Sequence, residues 1–266
     1  MTVDEFSREF DIYYNSISSN DAPGIDLYEK SVYLTKAQLE IVNNYFNPEG
    51  NKYKKGFEAS SKRREDLREL IRPYISATES TVLTTDDGIS PNSQFFRVPN
   101  DVYIIIQEKA RIDANLICQD DEQKYIKVIP KTHDEFNVQE NNPFKNPDRG
   151  IIWRLDMYSI TSNDILPDSQ DLTSSPNKVV ELISPYNINQ FKFRYIKYPS
   201  PIILVNLLTE YPYEQLSVDS ITAEQTCALG GASLHREILN RAVEMATSDY
   251  TPSELSQRVQ MNQRNE

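Results

Sequence analysis

The stretch Leu34-Thr35-Lys36-Ala37-Gln38-Leu39-Glu40-Ile41-Val42 decides how the rest of the chain is read. Thr35 with Gln38 three residues on has the spacing of a capping box, in which each side chain satisfies an orphan backbone N–H of the other. Leu34 and Leu39 stand where a hydrophobic staple needs them. The spacing predicts a helix from Thr35 to about Phe46, stopped at Asn47-Pro48 because proline disfavours helix in the residue before it. Its apolar stripe of Leu39, Val42 and Phe46 needs a partner. The best match is nearly two hundred residues away, in Ser233 to Ser248, where Leu234, Ile238, Leu239, Ala242, Val243 and Met245 or Ala246 recur at helical spacing. The chain therefore reads as α+β. Its helical layer is built from the N- and C-terminal helices (residues 1–83 with 222–250), and a mostly antiparallel β-domain, a sandwich or partly open barrel, is inserted at 84–221.

Working outward, Val3 to Ile17 reads as a helix with Val3, Phe6, Phe10, Tyr13, Tyr14 and Ile17 on one side, broken at Asn20 to Gly24. Ile25 to Tyr33 reads as a short helix and Asn47 to Gly56 as a polar connector. Ser60 to Ile71 has a thin apolar edge of Leu67, Leu70 and Ile71. Between Lys52 and Arg72 stand eight Lys or Arg against four acids, which makes this a net-basic tract in an acidic chain. It is either a solvated helix face or a contact surface for an acidic neighbour. After a turn-like Thr84 to Asn92, the period changes to two. Gln94–Val98, Val102–Asp113, Lys124–Ile129, Ile151–Tyr158, Val179–Ile183, Gln190–Lys197 and Ile202–Val205 read as strands. Ile151, Trp153, Leu155 and Met157 share one face; Phe191, Phe193 and Tyr195 share another, with Lys192 and Arg194 opposite. Ser162 to Asn177 is a long polar loop, either a contact loop or a mobile one. Thr222–Cys227 and a hinge-like Gly230-Gly231 lead into the Ser233 helix. Residues 251–266 form a tail helix: Thr251 caps it, Pro252 and Glu254 occupy its first turn, and only Leu255 and Val259 are apolar. Such a tail either docks on another chain or frays.

Composition narrows the function classes. A chain of 266 residues with 38% hydrophobic and 26% charged residues can bury a sizeable core. No apolar run approaches membrane-spanning length, the longest being Val102 to Ile106, so no membrane partner is expected. The acidic start Met1-Thr2-Val3-Asp4-Glu5 is unlike a secretory signal and points to a cytosol-like compartment. Cys118 and Cys227 suggest no disulfide framework. A net charge of −12 argues against gripping nucleic acid, though not against a surface that DNA slides past. The seven glycines assemble no phosphate loop, dinucleotide fingerprint or nucleophile elbow. His133-Asp134-Glu135 resembles an acid–base or metal cluster, but Thr132 and Glu135 have capping-box spacing, which puts the three in the first turn of a short helix, pointing different ways. His235-Arg236-Glu237 matches half of a zinc-deaminase signature whose Pro-Cys-x-x-Cys half is missing. Two histidines cannot make a His-rich metal site. No catalytic residue, cofactor or metal is expected. Sixteen tyrosines and ten phenylalanines fit strands and interfaces alike.

Four segments together carry a family resemblance: Glu5 to Asp11, Tyr28 to Gln38, Thr132 to Phe136 and Leu234 to Glu244. They resemble neck proteins of tailed bacteriophages, closest to those of crAss-like phages, and more distantly the tail tubular or adaptor proteins of short-tailed phages. The similarity runs from about residue 3 to 250, and Glu29-Lys30-Ser31 through Gln38 is its most specific part. The resemblance implies a virion head–tail connector, assembled in the host cytoplasm as a ring of identical subunits, twelve-fold in symmetry. It also implies portal or adjacent ring proteins as partners, and a channel that DNA crosses without specific binding. The departure is Ala228 to Ala232, more glycine-rich than in the proteins it resembles. Interface candidates are Thr251, Pro252, Glu254, Leu255 and Val259 in the tail, with Lys62, Arg63 and Arg64 in the basic tract. Competing readings are a carbohydrate- or receptor-binding phage tail module and, more remotely, a hydrolase using His133 with Asp134 or Glu135.

Overall fold

The computed structural model describes residues 1–15, 24–47, 58, 60–77, 88–112, 125–139, 142, 144, 146–147, 150–156 and 178–250. The chain divides into two units, one of Met1–Leu70 with Pro199–Glu266 and one of Ile71–Tyr198.

The first unit is helical: α1 (Val3–Asn15), α2 (Leu27–Phe46), α3 (Ser61–Asp66) with a 3-10 turn at Arg68–Leu70, then α5 (Leu207–Glu210) and α6 (Ala232–Tyr250). α1 opens on a reciprocal pair, Thr2 N to Glu5 Oε2 at 2.8 Å and Glu5 N to Thr2 Oγ1 at 3.2 Å, and buries Val3, Phe6, Phe10 and Tyr14. The expected union of α2 with α6 is present. Leu234, Ile238, Leu239, Ala242, Val243 and Ala246 are all fully buried, as are Leu34, Ala37 and Val42. The expected stripe of Leu39, Val42 and Phe46 is shifted, since Leu39 and Phe46 are only half-buried while Ile41 and Tyr45 go inside.

The start of α2 corrects the sequence reading. The helix begins eight residues before Thr35, at Leu27 after Asp26, and takes in the segment read as a separate short helix. Asp26 N donates to Glu29 Oε2 at 3.2 Å, so the capping spacing used is Asp26/Glu29. Thr35 and Gln38 lie mid-helix and hold backbone from elsewhere. Thr35 Oγ1 accepts from Ile202 N at 3.1 Å, Gln38 Nε2 donates to Ser200 O at 2.8 Å, and Ser31 Oγ accepts from Leu204 N at 3.0 Å. This polar stripe explains why Ile202–Val205 is not the expected strand. Much of its backbone hydrogen bonding is met by helix side chains, and it forms only an isolated bridge, Ile203 to Gln225.

The second unit is a mixed, curled seven-stranded sheet, a half-barrel. Its strands are β1 (Ile71–Ala77), β2 (Ser93–Val98), β3 (Val102–Ile112), β4 (Tyr125–Pro130), β5 (Ile151–Asp156), β6 (Lys178–Ile183) and β7 (Ile188–Lys197), in the order β1-β7-β3-β4-β5-β6-β2. Every neighbouring pair is antiparallel except β4 and β5. Those two are parallel because α4 (His133–Gln139) lies in the crossover between them. Register shifts along β3 against β7 go with the bending of the sheet. β1 lies within the segment expected to be helical. Its Pro73 cannot donate to a ladder and is tolerated because β1, among the described residues, is an edge strand paired with β7.

The concave core gathers Phe96, Ile112, Val128, Ile152, Leu182 and Phe191. The alternation read in β7 holds: Phe191, Phe193 and Tyr195 are buried, Lys192 and Arg194 exposed. In β5 it does not, because both faces are covered. Ile152 enters the core while Trp153 and Leu155 pack on the other side with Phe136 of α4 and Ile183. Ile151, expected inside, is exposed, and Arg154, expected outside, is buried. Met157, Cys118, Ile17, the Ser162–Asn177 loop, most of the Asn47–Gly56 connector and the 251–266 tail lie outside the described residues.

Candidate assembly surfaces

The basic tract is more tied down than its composition suggests. Where α3 meets the C-terminal end of α2, Tyr45 Oη reaches two carboxylates, Glu237 Oε2 at 3.0 Å and Asp66 Oδ2 at 3.3 Å. Lys62 pairs with Glu237, and the Arg63 guanidinium sits 5.2 Å from the centroid of the Tyr45 ring. Arg64 is exposed, with Nη2 on Ser61 Oγ at 3.2 Å. Burial, reinforced by Glu237 and Asp66, pushes the Tyr45 phenol far above its usual range. Burial also raises the Asp66 carboxyl, against the opposing pull of Lys62 and the Tyr45 hydroxyl. Of the three expected contact cations, then, Lys62 and Arg63 help to fasten α3 to α2 and α6, and Arg64 faces outward.

This arrangement predicts a pH-dependent defect. Tyr45→Phe should cost about 1–2 kcal/mol near pH 7, because buried Asp66 loses a donor. A carboxyl whose folded pKa is raised favours the protonated native state, so stability is lost as pH rises through that value and regained below it. The defect should therefore shrink on acidification. Urea melts at pH 7 and pH 4.5 measure it, and an equal loss at both would refute the network.

The two histidines lie in different environments, one exposed and one buried. His133 opens α4, where Glu135 N donates to Thr132 Oγ1 at 3.2 Å, and its exposed ring lies 3.3 Å from Asp156 O. His235 is buried against Phe6 at 5.5 Å between ring centroids. The Met1 amine can only donate, so His235 Nδ1 at 2.9 Å is the acceptor, and Nε2–H donates to Leu229 O at 2.7 Å. Cys227 is held against Gln38 Oε1 at 3.2 Å, and burial pushes its thiol up to about 11. Among the described residues no group of three or more His, Cys, Asp or Glu could hold a metal ion. A shallow depression between α2 and α6 is lined by Tyr33, Lys36, Arg241, Glu244 and Asp249. Its polar groups already cross-link the helices, through Arg241 forked onto Glu40 at 2.7 and 3.0 Å and Tyr33 on Asp249 at 2.9 Å.

One surface escaped the sequence reading, the loop that follows α5. Leu208 of α5 itself is 58% exposed and Tyr213 in the loop is 97% exposed. Its signal was charge rather than periodicity. Between Lys197 and Arg236 there is no Lys or Arg, while Glu210, Glu214, Asp219 and Glu224 all stand in that interval.

Among the described residues, Tyr45, Asp66, Lys62, Glu237, Arg241 and Glu40 join helices of an α+β subunit. Comparison with known proteins gives the group. A family model described as phage tail ring protein 3/4 matches residues 1–257. Ring protein 4/5 of Bacteroides phage crAss001 is 36% identical over 271 residues, covering 100% of both chains. Ring protein 3 of the same phage is 33% identical over 252 residues, covering 94% of this chain and 97% of that one. The chain belongs to the phage tail ring protein 3/4 family, which bears out the resemblance to crAss-like phage neck proteins. Its role is that of a structural virion component of the tail or neck. No helix among the described residues is long and apolar enough to cross a membrane.

Proposed function

We propose that this chain forms a ring of identical subunits, twelve-fold in symmetry, in the neck between portal and tail, and lines the channel through which genomic DNA passes. The observation that carries the reading is the match to a ring protein over 100% of both chains. The net charge of −12 supports a lumen that DNA slides through, since a wall without clustered cations releases no counterions and repels the phosphates. Assembly takes place in the host cytoplasm and needs no cofactor. Thr251, Pro252, Glu254, Leu255 and Val259 of the tail dock on the portal or an adjoining ring.

Two measurements test this. The mass of the purified assembly should be a large multiple of the 30.7 kDa subunit. A monomer or trimer at every concentration would favour a receptor-binding tail module instead. Deleting the residues after Tyr250 should leave the subunit folded and ring-forming but abolish stacking on the neighbouring layer. Stacking that survives the deletion would reject the docking role.

A further inference from the structure

The two ends of α2 carry opposite surface chemistry. At its N-terminal end, Ile203, Leu207 and Val218 pack with Tyr28 and Val32, which seats the loop after α5 there. Tyr211 Oη donates to Asp26, the residue that caps the helix. The loop is built rather than slack. Asn206 Oδ1 accepts from Leu208 N at 3.2 Å, and Val218 and Ile221 exchange backbone hydrogen bonds at 3.0 and 2.9 Å. Gln215, Asp219 and Ser220 hold left-handed φ values of 50°, 49° and 65°. Each non-glycine residue in that region costs on the order of 1 kcal/mol, which the packing beneath must offset. The outcome is a preformed acidic knob with Leu208 and Tyr213 turned to water, the rigid aromatic type that interfaces favour.

At the C-terminal end of α2 two of four acids are engaged, and Glu65 and Glu69 stay exposed. Asp66 is buried and Glu237 is bound by Lys62. The exposed charge left on α3 and the turn after it is Arg63, Arg64 and Arg68 against Glu65 and Glu69. Arg63 is half-buried over Tyr45, and Arg68 and Glu65 pair at 3.1 Å with both side chains largely in solvent. From Tyr28 to Tyr45 the helix rises about 25 Å at ~1.5 Å per residue. That is about three Debye lengths at physiological salt, so the patches cannot neutralise each other within one subunit. They can between subunits: a contact joining different patches of identical chains is heterologous, and when its rotation closes it makes a ring.

We infer that the knob of one copy, Tyr213 and Leu208 flanked by Glu210 and Glu214, docks on the Arg63–Arg64–Arg68 face at the far end of α2 in the next copy. This rests on the ring reading above and assigns its two complementary faces. The test uses full-length chains and native mass spectrometry. Glu210→Lys with Glu214→Lys makes both faces basic, and Arg64→Glu with Arg68→Glu makes both acidic. Each variant should stay folded by circular dichroism and assemble at least tenfold more weakly than wild type, with Tyr213→Ser weakening assembly similarly. An equimolar mixture should regain rings of alternating subunits, and a chain carrying all four charge changes should assemble alone. Wild-type rings together with unimpaired variants, or impaired variants that mixing fails to rescue, overturn the inference and leave the ring reading intact. A wild-type chain that never assembles overturns both.

Discussion

Replacing Arg154 with methionine should lower the stability of the half-barrel by about 3–5 kcal/mol near pH 7, the usual cost of stranding a buried charge. Arg154 on β5 and Glu108 on β3 are 7% and 9% exposed, and Arg154 Nε lies 2.7 Å from Glu108 Oε2. Burial already raises the Glu108 carboxyl above its ordinary value, and Arg154 is the group that pulls it back. Without the guanidinium, Glu108 must hold its charge in a dry site or take up a proton. Asp156, the other partner of Arg154, has its side chain largely in water and tolerates the loss. The sign follows from Glu108: its raised folded pKa means stability is lost as pH rises through that value and recovered as pH falls below it. The defect should thus be largest at neutral pH and shrink on acidification. Arg154→Met with Glu108→Leu should return close to wild type, because an apolar pair removes the desolvation penalty along with the attraction. Trp153, the single tryptophan, is buried on the opposite face of β5 and reports unfolding by fluorescence in urea melts. A single variant as stable as wild type, or a double variant no better than the single, would rule out the pair as described.

Arg154 also shows where the sequence stopped being legible. Period-two alternation identifies a strand with one wet face, and it worked for β7, whose Lys192 and Arg194 do face solvent. In β5 it failed because α4 covers the second face, a fact that lies in the topology and not in the local pattern. The α2–α6 union was readable because Leu234, Ile238 and Ala242 repeat at helical spacing regardless of what they meet. The Thr35/Gln38 spacing misled because residues that cap a helix can equally hold a neighbouring backbone, and only the distant segment at Ser200 to Leu204 decides between the two. β1 was missed because Pro73 argues against a strand unless the strand is known to be an edge. For the assembly surfaces, the cations at 62–64 were visible as composition, but the carboxylate that pairs with Lys62, Glu237, comes from α6. The acidic knob had no period at all. Its shape depends on three left-handed residues, none of them a glycine that would have marked the turn.

Gly88→Ala should be nearly as damaging to the half-barrel as loss of Arg154, although it adds one methyl group. A Cβ at Gly88 would lie 2.3 Å from Ser93 Cβ, 2.5 Å from Ser93 Oγ and 2.9 Å from Glu181 Oε1. None of these can retreat cheaply. Ser93 is fully buried at the start of β2, and its hydroxyl accepts from Ser90 N at 3.1 Å while donating to Glu181. Glu181 is 1% exposed on β6, the strand paired with β2, and also accepts from Ile89 N at 3.0 Å. Making room means displacing the turn or breaking the hydrogen bonds of a buried carboxylate. Overpacking alone costs about 1–3 kcal/mol, and a stranded buried acceptor about 1–3 kcal/mol more. A loss of about 3 kcal/mol or greater is expected, with Trp153 fluorescence again the probe. Backbone conformation is not the cause, since the positive-φ glycine among the described residues is Gly231. The discriminating variant is Gly88→Ala combined with Ser93→Gly, which deletes both of the nearest atoms. If steric conflict is the source, the second change should recover part of the loss even though Ser93→Gly alone destabilises by removing two hydrogen bonds. Strictly additive losses would show that the methyl group is accommodated and that Gly88 matters for some other reason.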